Sequence, residues 1–216
     1  MGRPGTLRII AGSLGGIRLA FPKEVKIRPT ADRVREAVFN ILADRADDAR
    51  VLDLFAGTGA YGLEALSRGA AQCIFVEKHR ACVAAIRENL EKTRLAEKAT
   101  VVPADAFSFV KKELPAAQPF DLIFIDPPYR FSQDSSAGSR MAELMAGLAG
   151  QGVLAPGGVI ILEHASTAAV PEAFGSLRCH SRRHCEAAPC SVQEFKSSSA
   201  RLMLGKQLFF CKLAAA

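Results

Sequence analysis

The chain has 216 residues, of which 49% are hydrophobic and 23% charged, and this composition excludes a disordered protein. Lys and Arg outnumber Asp and Glu by 28 to 22, a net charge of +6 that is compatible with an anionic partner such as nucleic acid. No apolar run is long enough to span a bilayer, and the six cysteines show neither a disulfide framework nor a preceding secretory signal. We therefore expect a cytoplasmic protein with no membrane partner.

Residues 1–49 are predicted to form a β-hairpin followed by a helix. Two strand-like pieces, Leu7–Gly12 and Ile17–Phe21, flank a glycine-rich turn. Thr30 is a candidate helix N-cap, and apolar residues at helical spacing follow it. This segment is interpreted as an RNA-contacting extension of the main domain.

Three arginines surround the start of this helix. Arg28, Arg33 and Arg35 are interpreted either as a solvated helix face or as contacts to RNA phosphates, with Thr30 beside them. The sequence alone leaves both interpretations open.

From residue 51 onward, strand-like and helix-like segments alternate, which predicts an α/β domain over residues 50–216 with a mostly parallel sheet. The predicted strands are Val51–Phe55, Cys73–Glu77, Thr100–Pro103, Phe120–Ile125, Val159–Glu163 and Gln207–Leu213. The predicted helices are Gly62–Arg68, His79–Thr93, Phe107–Glu113 and Arg140–Leu148. Residues 180–200 are polar and are predicted to be irregular.

The first of these strands runs into a glycine-rich turn and a helix. Gly57 and Gly59 allow a tight turn and the close approach of a ligand. Glu77 ends the next strand, and a carboxylate there can accept hydrogen bonds from both ribose hydroxyls of an adenosine. Because residues 57–62 also fit the dinucleotide fingerprint GxGxxG, a nicotinamide-dependent oxidoreductase is an alternative.

Two acidic residues favour S-adenosylmethionine over a dinucleotide. Asp53 lies at the strand end, where its carboxylate can bind the ammonium group of the methionine moiety and would repel a pyrophosphate. Asp105 and Ala106 follow the third strand and can receive the adenine amine and ring edge. Alternatively, loop amides satisfy Asp53 and Asp105 caps a helix.

The tetrapeptide Asp126-Pro127-Pro128-Tyr129 directly follows an apolar strand. Asp126 and Pro127 both precede a proline and are biased to extended backbone, so a helix cannot consume their carbonyls. The Asp126 carboxylate and the Pro127 carbonyl can accept both N–H bonds of an exocyclic amine, and Tyr129 can stack on the ring. The motif predicts methylation of an amino group on a planar base; a simple Pro-Pro turn is the alternative.

With these motifs, the chain resembles class I S-adenosylmethionine-dependent methyltransferases and, more specifically, the RsmD family of bacterial small-subunit rRNA guanine-N2 methyltransferases. The segments that carry the resemblance are Arg8–Gly12, Arg28–Asn40, Asp53–Ala70 and Phe120–Tyr129. The resemblance implies a Rossmann-like, seven-stranded sheet whose last strand is antiparallel. It also implies methylation of one guanine in 16S rRNA of an assembled or assembling 30S particle.

Residue by residue, the resemblance implies a cofactor site and a catalytic site. The cofactor residues are Asp53, Phe55, Ala56, Gly57, Thr58, Gly59, Glu77, Asp105 and Ala106, and the catalytic residues are Asp126, Pro127, Pro128 and Tyr129. The candidate RNA contacts remain Arg28, Thr30, Arg33 and Arg35.

We expect no metal ion, because the cysteines and histidines of residues 179–190 match no zinc-ligand spacing. We also expect a monomer. The alternatives to an rRNA methyltransferase are an adenine-N6 DNA methyltransferase and a non-catalytic RNA-binding assembly factor. The absence of an evident target-recognition domain favours RNA over DNA as the substrate.

Overall fold

The computed structural model describes residues 7–22, 30–112, 114, 118–128, 131, 138–150, 152–165, 173–185 and 206–213. The chain divides into two compact units, Met1–Ala106 and Phe107–Ala216. Across the described ranges, no helix is both long enough and apolar enough to cross a membrane.

The first unit contains the N-terminal hairpin and a three-stranded parallel arrangement with helices. Its helices are α1 (Thr30–Leu42), α2 (Ala60–Ser67) and α3 (Arg80–Thr93), and its strands are β1 (Arg50–Leu54), β2 (Gln72–Val76) and β3 (Ala99–Val102). The strands pair in the order β3-β2-β1, all parallel. Val51, Leu52 and Leu54 are buried, as expected for a parallel strand that is covered on both faces.

The predicted hairpin is present and directs alternate residues to opposite faces. Arg8 and Arg18 form an antiparallel bridge at its centre. Leu7, Ile9 and Leu19 are buried, whereas both arginines are exposed. This alternation follows from the two-residue period of extended backbone and attaches the hairpin through its apolar face.

A buried carboxylate on α2 joins the hairpin to the rest of the first unit. Glu64 has no exposed surface and accepts hydrogen bonds from the amides of Ile10, at 2.6 Å, and Ala11, at 3.0 Å. Arg68 Nε donates to the same carboxylate at 2.8 Å, and Arg35 Nε lies 3.7 Å from it. The predicted domains, residues 1–49 and 50–216, stay a prediction. The first compact unit of the structure extends beyond residue 49, to residue 106.

Helix α4 (Ala106–Lys112) begins at the last residue of the first unit. The helix and strands that follow α4 in the sequence belong to the second unit. They are α5 (Arg140–Leu148), β4 (Phe120–Ile125), β5 (Leu154–Ala165), β6 (Ala173–Phe174), β7 (Leu177–Cys185) and β8 (Lys206–Leu213). These strands pair in the order β4-β5-β8-β7-β6. The β4–β5 pair is parallel, and the other three pairs are antiparallel.

The predicted α/β class and the antiparallel β8 are confirmed, but the strand count is wrong. The described residues form eight strands rather than seven, because β6 and β7 extend the antiparallel part of the sheet. Strand β7 includes residues 180–185, which were expected to be irregular. Their polar composition concealed the strand, since an antiparallel strand can present one face to solvent and need not be apolar.

We predict that Glu64→Gln strongly destabilises the protein. The substitution removes the negative charge beside Arg35, a side chain that is 2% exposed, and leaves two hairpin amides to share a single carbonyl acceptor. Breaking a buried ion pair in this way costs about 3–5 kcal/mol. Urea denaturation followed by circular dichroism measures the change in the free energy of unfolding.

Glu91→Gln is the matched control for this experiment, because it makes the same chemical change at an exposed position on α3. We expect it to change the free energy of unfolding by less than about 0.5 kcal/mol. Equal stabilities of the two variants would contradict a role of Glu64 in anchoring the hairpin.

Candidate active site

The loop after β1 has an unusual backbone. Phe55, Gly57 and Gly59 have φ angles of +59°, +54° and +81°, so every second residue adopts the left-handed conformation. The Gly59 amide closes the turn on the Ala56 carbonyl at 2.7 Å. A non-glycine residue such as Phe55 adopts this conformation at a cost on the order of 1–2 kcal/mol, which is typical of functional loops.

Two buried carboxylates hold this loop, one at its middle and the other at the helix that follows it. Asp53, in β1, accepts a hydrogen bond from the Gly62 amide in the first turn of α2 at 2.9 Å. Glu77, directly after β2, accepts from the Gly57 amide through one oxygen and from the His79 amide through the other, both at 2.8 Å. Backbone amides therefore engage Asp53, as one interpretation of the sequence expected; its contact with a cofactor ammonium stays a prediction.

The glycines of this loop serve different purposes. A Cβ added to Gly62 would lie 2.3 Å from Phe75 Cε1 and 2.6 Å from Cys73 Sγ, so α2 could not pack closely on β2. A Cβ added to Gly57 would meet only the Phe55 carbonyl oxygen, at 4.0 Å. Gly62 is thus required by packing, whereas Gly57 faces open space beside the loop.

Neither described cysteine near the loop has the properties of a nucleophile. Burial, and then the Asp53 carboxylate, raise the pKa of Cys73 well above its usual value. Burial, and then Glu77, raise the pKa of Cys82. Because the thiolate is the reactive form, both thiols are expected to be inert at neutral pH.

Asp105 and Ala106 lie at the junction between β3 and α4. Asp105 directly precedes α4, where an acidic residue favours a helix N-terminus, and its Oδ2 lies 3.5 Å from Lys78 Nζ. Ala106 is buried in the first turn of the helix. Their predicted contact with an adenine ring stays a prediction.

The tetrapeptide follows β4 as predicted. Asp126 is half-buried, Pro127 is buried and Pro128 is exposed. The Pro128 carbonyl accepts a hydrogen bond from the Phe131 amide at 2.8 Å, which closes a turn over this segment. Tyr129 lies outside the described residues, so its predicted stacking role stays a prediction.

Two aromatic rings and a guanidinium group pack beside the tetrapeptide. The ring centroids of Phe107 and Phe131 are 5.0 Å apart in an edge-to-face arrangement. The Arg140 Cζ atom lies 4.0 Å from the Phe107 centroid and 5.3 Å from the Phe131 centroid. These contacts connect the residues that follow the tetrapeptide to the start of α5.

The predicted RNA-binding residues Arg33 and Arg35 differ in their exposure to solvent. Arg33 is exposed on α1, as a phosphate contact requires. Arg35 is 2% exposed and contacts Asp32 at 3.1 Å and the buried Glu64, so its guanidinium supports the fold and cannot reach a phosphate. Arg28 and the side chain of Thr30 lie outside the described residues.

The segment of residues 179–190, whose cysteines and histidines were considered as zinc ligands, also lies largely outside the description: the side chains of residues 179–185 and all of residues 186–190 are not described.

Sequence reasoning missed a basic cluster on the hairpin. Arg8 and Arg18 occupy a non-hydrogen-bonded bridge position, where the Cβ atoms of facing residues lie about 4.5–5.5 Å apart. Lys92, exposed on α3, donates to the Arg18 carbonyl at 2.6 Å. The alternation of Leu7, Arg8 and Ile9 was the available signal, since it directs the basic residue outward once its neighbours are buried.

A family model and curated proteins of known name match this chain. The model described as conserved hypothetical protein 95 matches residues 7–193. The Escherichia coli (strain K12) protein named Ribosomal RNA small subunit methyltransferase D is 45% identical over 126 residues. That alignment covers 58% of this chain, which thus spans 62% of the length of this relative.

Solved structures agree on the fold. The Escherichia coli protein yhhF superposes with a TM-score of 0.68 at 31% identity, covering 98% of this chain and 100% of that one. The protein SMU.776, solved in complex with SAH, superposes with a TM-score of 0.65 at 19% identity, covering 91% of this chain and 53% of that one. The second similarity concerns the fold alone.

Proposed function

The chain belongs to the RsmD family, the one described as conserved hypothetical protein 95, and on that premise we propose that it is an S-adenosylmethionine-dependent rRNA methyltransferase. We propose that it methylates the exocyclic N2 amine of one guanine in 16S rRNA, acting as a monomer on the 30S subunit or its precursor in the bacterial cytoplasm. The observation that carries the proposal is the Asp126 carboxylate at the end of β4, followed by two prolines.

The loop of residues 53–62 fits the methyl donor. Its backbone leaves open space at Gly57, and the Gly57 amide is held by Glu77, a carboxylate of the kind that binds ribose hydroxyls. A carboxylate oxygen has more than one acceptor site, so Glu77 can bind a hydroxyl while it keeps its amide partners. When bound, S-adenosylmethionine would supply an electrophilic methyl group.

The tetrapeptide fits the methyl acceptor. The lone pair of an aryl amine is delocalised into its ring, so the amine reacts only when its N–H bonds are held out of the ring plane. The Asp126 carboxylate accepts one N–H and takes the proton that the nitrogen releases when the methyl group arrives. The Pro127 carbonyl accepts the other N–H, and Tyr129 stacks on the ring.

The hairpin offers a surface for the rRNA backbone. Arg8 and Arg18 face one another, and among the described residues no carboxylate forms an ion pair with either guanidinium. Two adjacent like charges repel unless an anion lies between them. We propose that phosphates of the rRNA supply this anion and that Lys92 and Arg33 extend the surface.

We predict that Asp126→Asn lowers the rate of methyl transfer to 30S particles by at least about 100-fold, because the amide is a weaker acceptor and cannot take the proton. Transfer of labelled methyl groups, followed by nucleoside chromatography, measures both the rate and the product. The affinity for S-adenosylmethionine should stay within about threefold, because the substitution removes a hydrogen bond to the base and none to the methyl donor.

Asp121→Asn, at the opposite end of β4, is the control and should retain the wild-type rate. Transfer at the wild-type rate by the Asp126 variant would refute its role. A product methylated on adenine would instead favour the N6 alternative.

We predict that Gly57→Ala weakens S-adenosylmethionine binding by at least about tenfold, measured by calorimetry. The added methyl group enters the open space that we assign to the donor, and the left-handed backbone also resists the substitution by about 1–2 kcal/mol. Gly152→Ala is the control: its φ is +80°, its Cβ would meet nothing within 4 Å, and it lies before β5. Equal affinities of the two variants would contradict the assignment of the loop.

We predict that the double substitution Arg8→Ala and Arg18→Ala weakens binding to 16S rRNA. The slope of log affinity against log salt should become shallower by about 1 for each phosphate that the variant no longer neutralises. Filter binding across a salt series measures this slope. Arg87→Ala with Arg94→Ala removes the same charge from an exposed position in the middle of α3 and from one just beyond its end. If both double variants change the slope equally, the hairpin has no specific role.

A further inference from the structure

Strand β5 places a second carboxylate beside the tetrapeptide. Strands β4 and β5 are parallel, with Ile125 paired with Leu162. Asp126 directly follows Ile125, after the end of β4, and Glu163 follows Leu162 within β5; both residues are acidic. Residues in register on neighbouring parallel strands share a face, and the strands lie about 4.8 Å apart. Continued by one residue beyond the paired Ile125 and Leu162, this register would direct Asp126 and Glu163 to the same side of the sheet, near its carboxyl edge.

The burial of Glu163 makes a role in solubility implausible. It is 5% exposed, it follows Ile161 and Leu162, and its cross-strand partner on β8 is the fully buried Leu208. A buried carboxylate costs several kcal/mol unless it is hydrogen-bonded, and Glu163 does make contacts within the protein. Its two oxygens offer about four acceptor sites, so those contacts leave room for a ligand donor. In open α/β sheets, ligands bind at this edge.

We propose that Glu163 accepts the N1–H of the target base and thereby selects guanine; this inference rests on the proposed function. In guanine, the N1–H donor lies directly beside the N2 amine that Asp126 binds. Adenine presents an unprotonated N1, an acceptor, at the equivalent ring position, and a carboxylate facing it would be repelled. Two neighbouring carboxylates match the two donor groups on this edge of guanine, and they match no edge of adenine.

The test compares two bases in reconstituted 30S particles, with guanine or 2-aminopurine at the methylated position. 2-Aminopurine keeps the N2 amine but carries an acceptor at N1. We expect the wild-type protein to prefer guanine by at least about tenfold in kcat/KM, the effect of one charge-assisted hydrogen bond. In Glu163→Gln, the amide can donate to the N1 of 2-aminopurine, so the preference should fall by at least about tenfold.

Glu143→Gln, which changes an exposed glutamate on α5, is the control and should keep the wild-type preference. A purely structural Glu163 would lower kcat/KM for both bases by the same factor and leave their ratio unchanged, and that result would overturn the inference. Equal rates of the wild-type protein on both bases would overturn it even if the variant did not fold. Failure of the wild-type protein to methylate guanine would instead refute the proposed function.

Discussion

The hydrogen bonds of Asp53 and Glu77 to the loop between them are the constraint on which the site depends. Through the amides of Gly57, at the middle of the loop, and Gly62, in the helix that follows, these two carboxylates hold a loop whose backbone turns through three left-handed residues. Without them, Phe55 would be expected to relax, because a non-glycine residue favours another conformation, whereas the two glycines adopt this one readily. The parallel pairing of β1 and β2 brings the two acidic residues to the same edge, although 24 positions separate them in the sequence.

A third buried carboxylate, Glu64, holds the hairpin in a similar way. Its bonds to the amides of Ile10 and Ala11 attach the hairpin to α2, while the basic face of the hairpin stays exposed. The helix that carries Glu64 is also the helix that Asp53 caps, so the proposed rRNA surface and the proposed donor loop share one rigid element. This arrangement would let the first unit present the proposed phosphate-binding residues and the proposed cofactor loop in a constant geometry.

The sequence predicted the elements whose bounds depend on local signals. It did not predict the features that depend on residues distant in sequence. Strand β4 and helix α5 have the predicted bounds, because an apolar run before two prolines, and a serine before a helical pattern, determine where each element begins or ends. Arg35 was wrongly counted among the phosphate contacts, because its burial depends on Glu64, which is distant in sequence. The facing pair Arg8 and Arg18, and the proposed position of Glu163 beside Asp126, depend on strand register, which composition does not encode.

The measurement that tests the central claim most directly is nucleoside mass spectrometry of 16S rRNA from cells that lack this protein, compared with their parent and with cells in which the gene is restored. Our account predicts that one N2-methylguanosine is missing from the mutant rRNA and returns on restoration. An unchanged set of methylated guanosines in the mutant would contradict it.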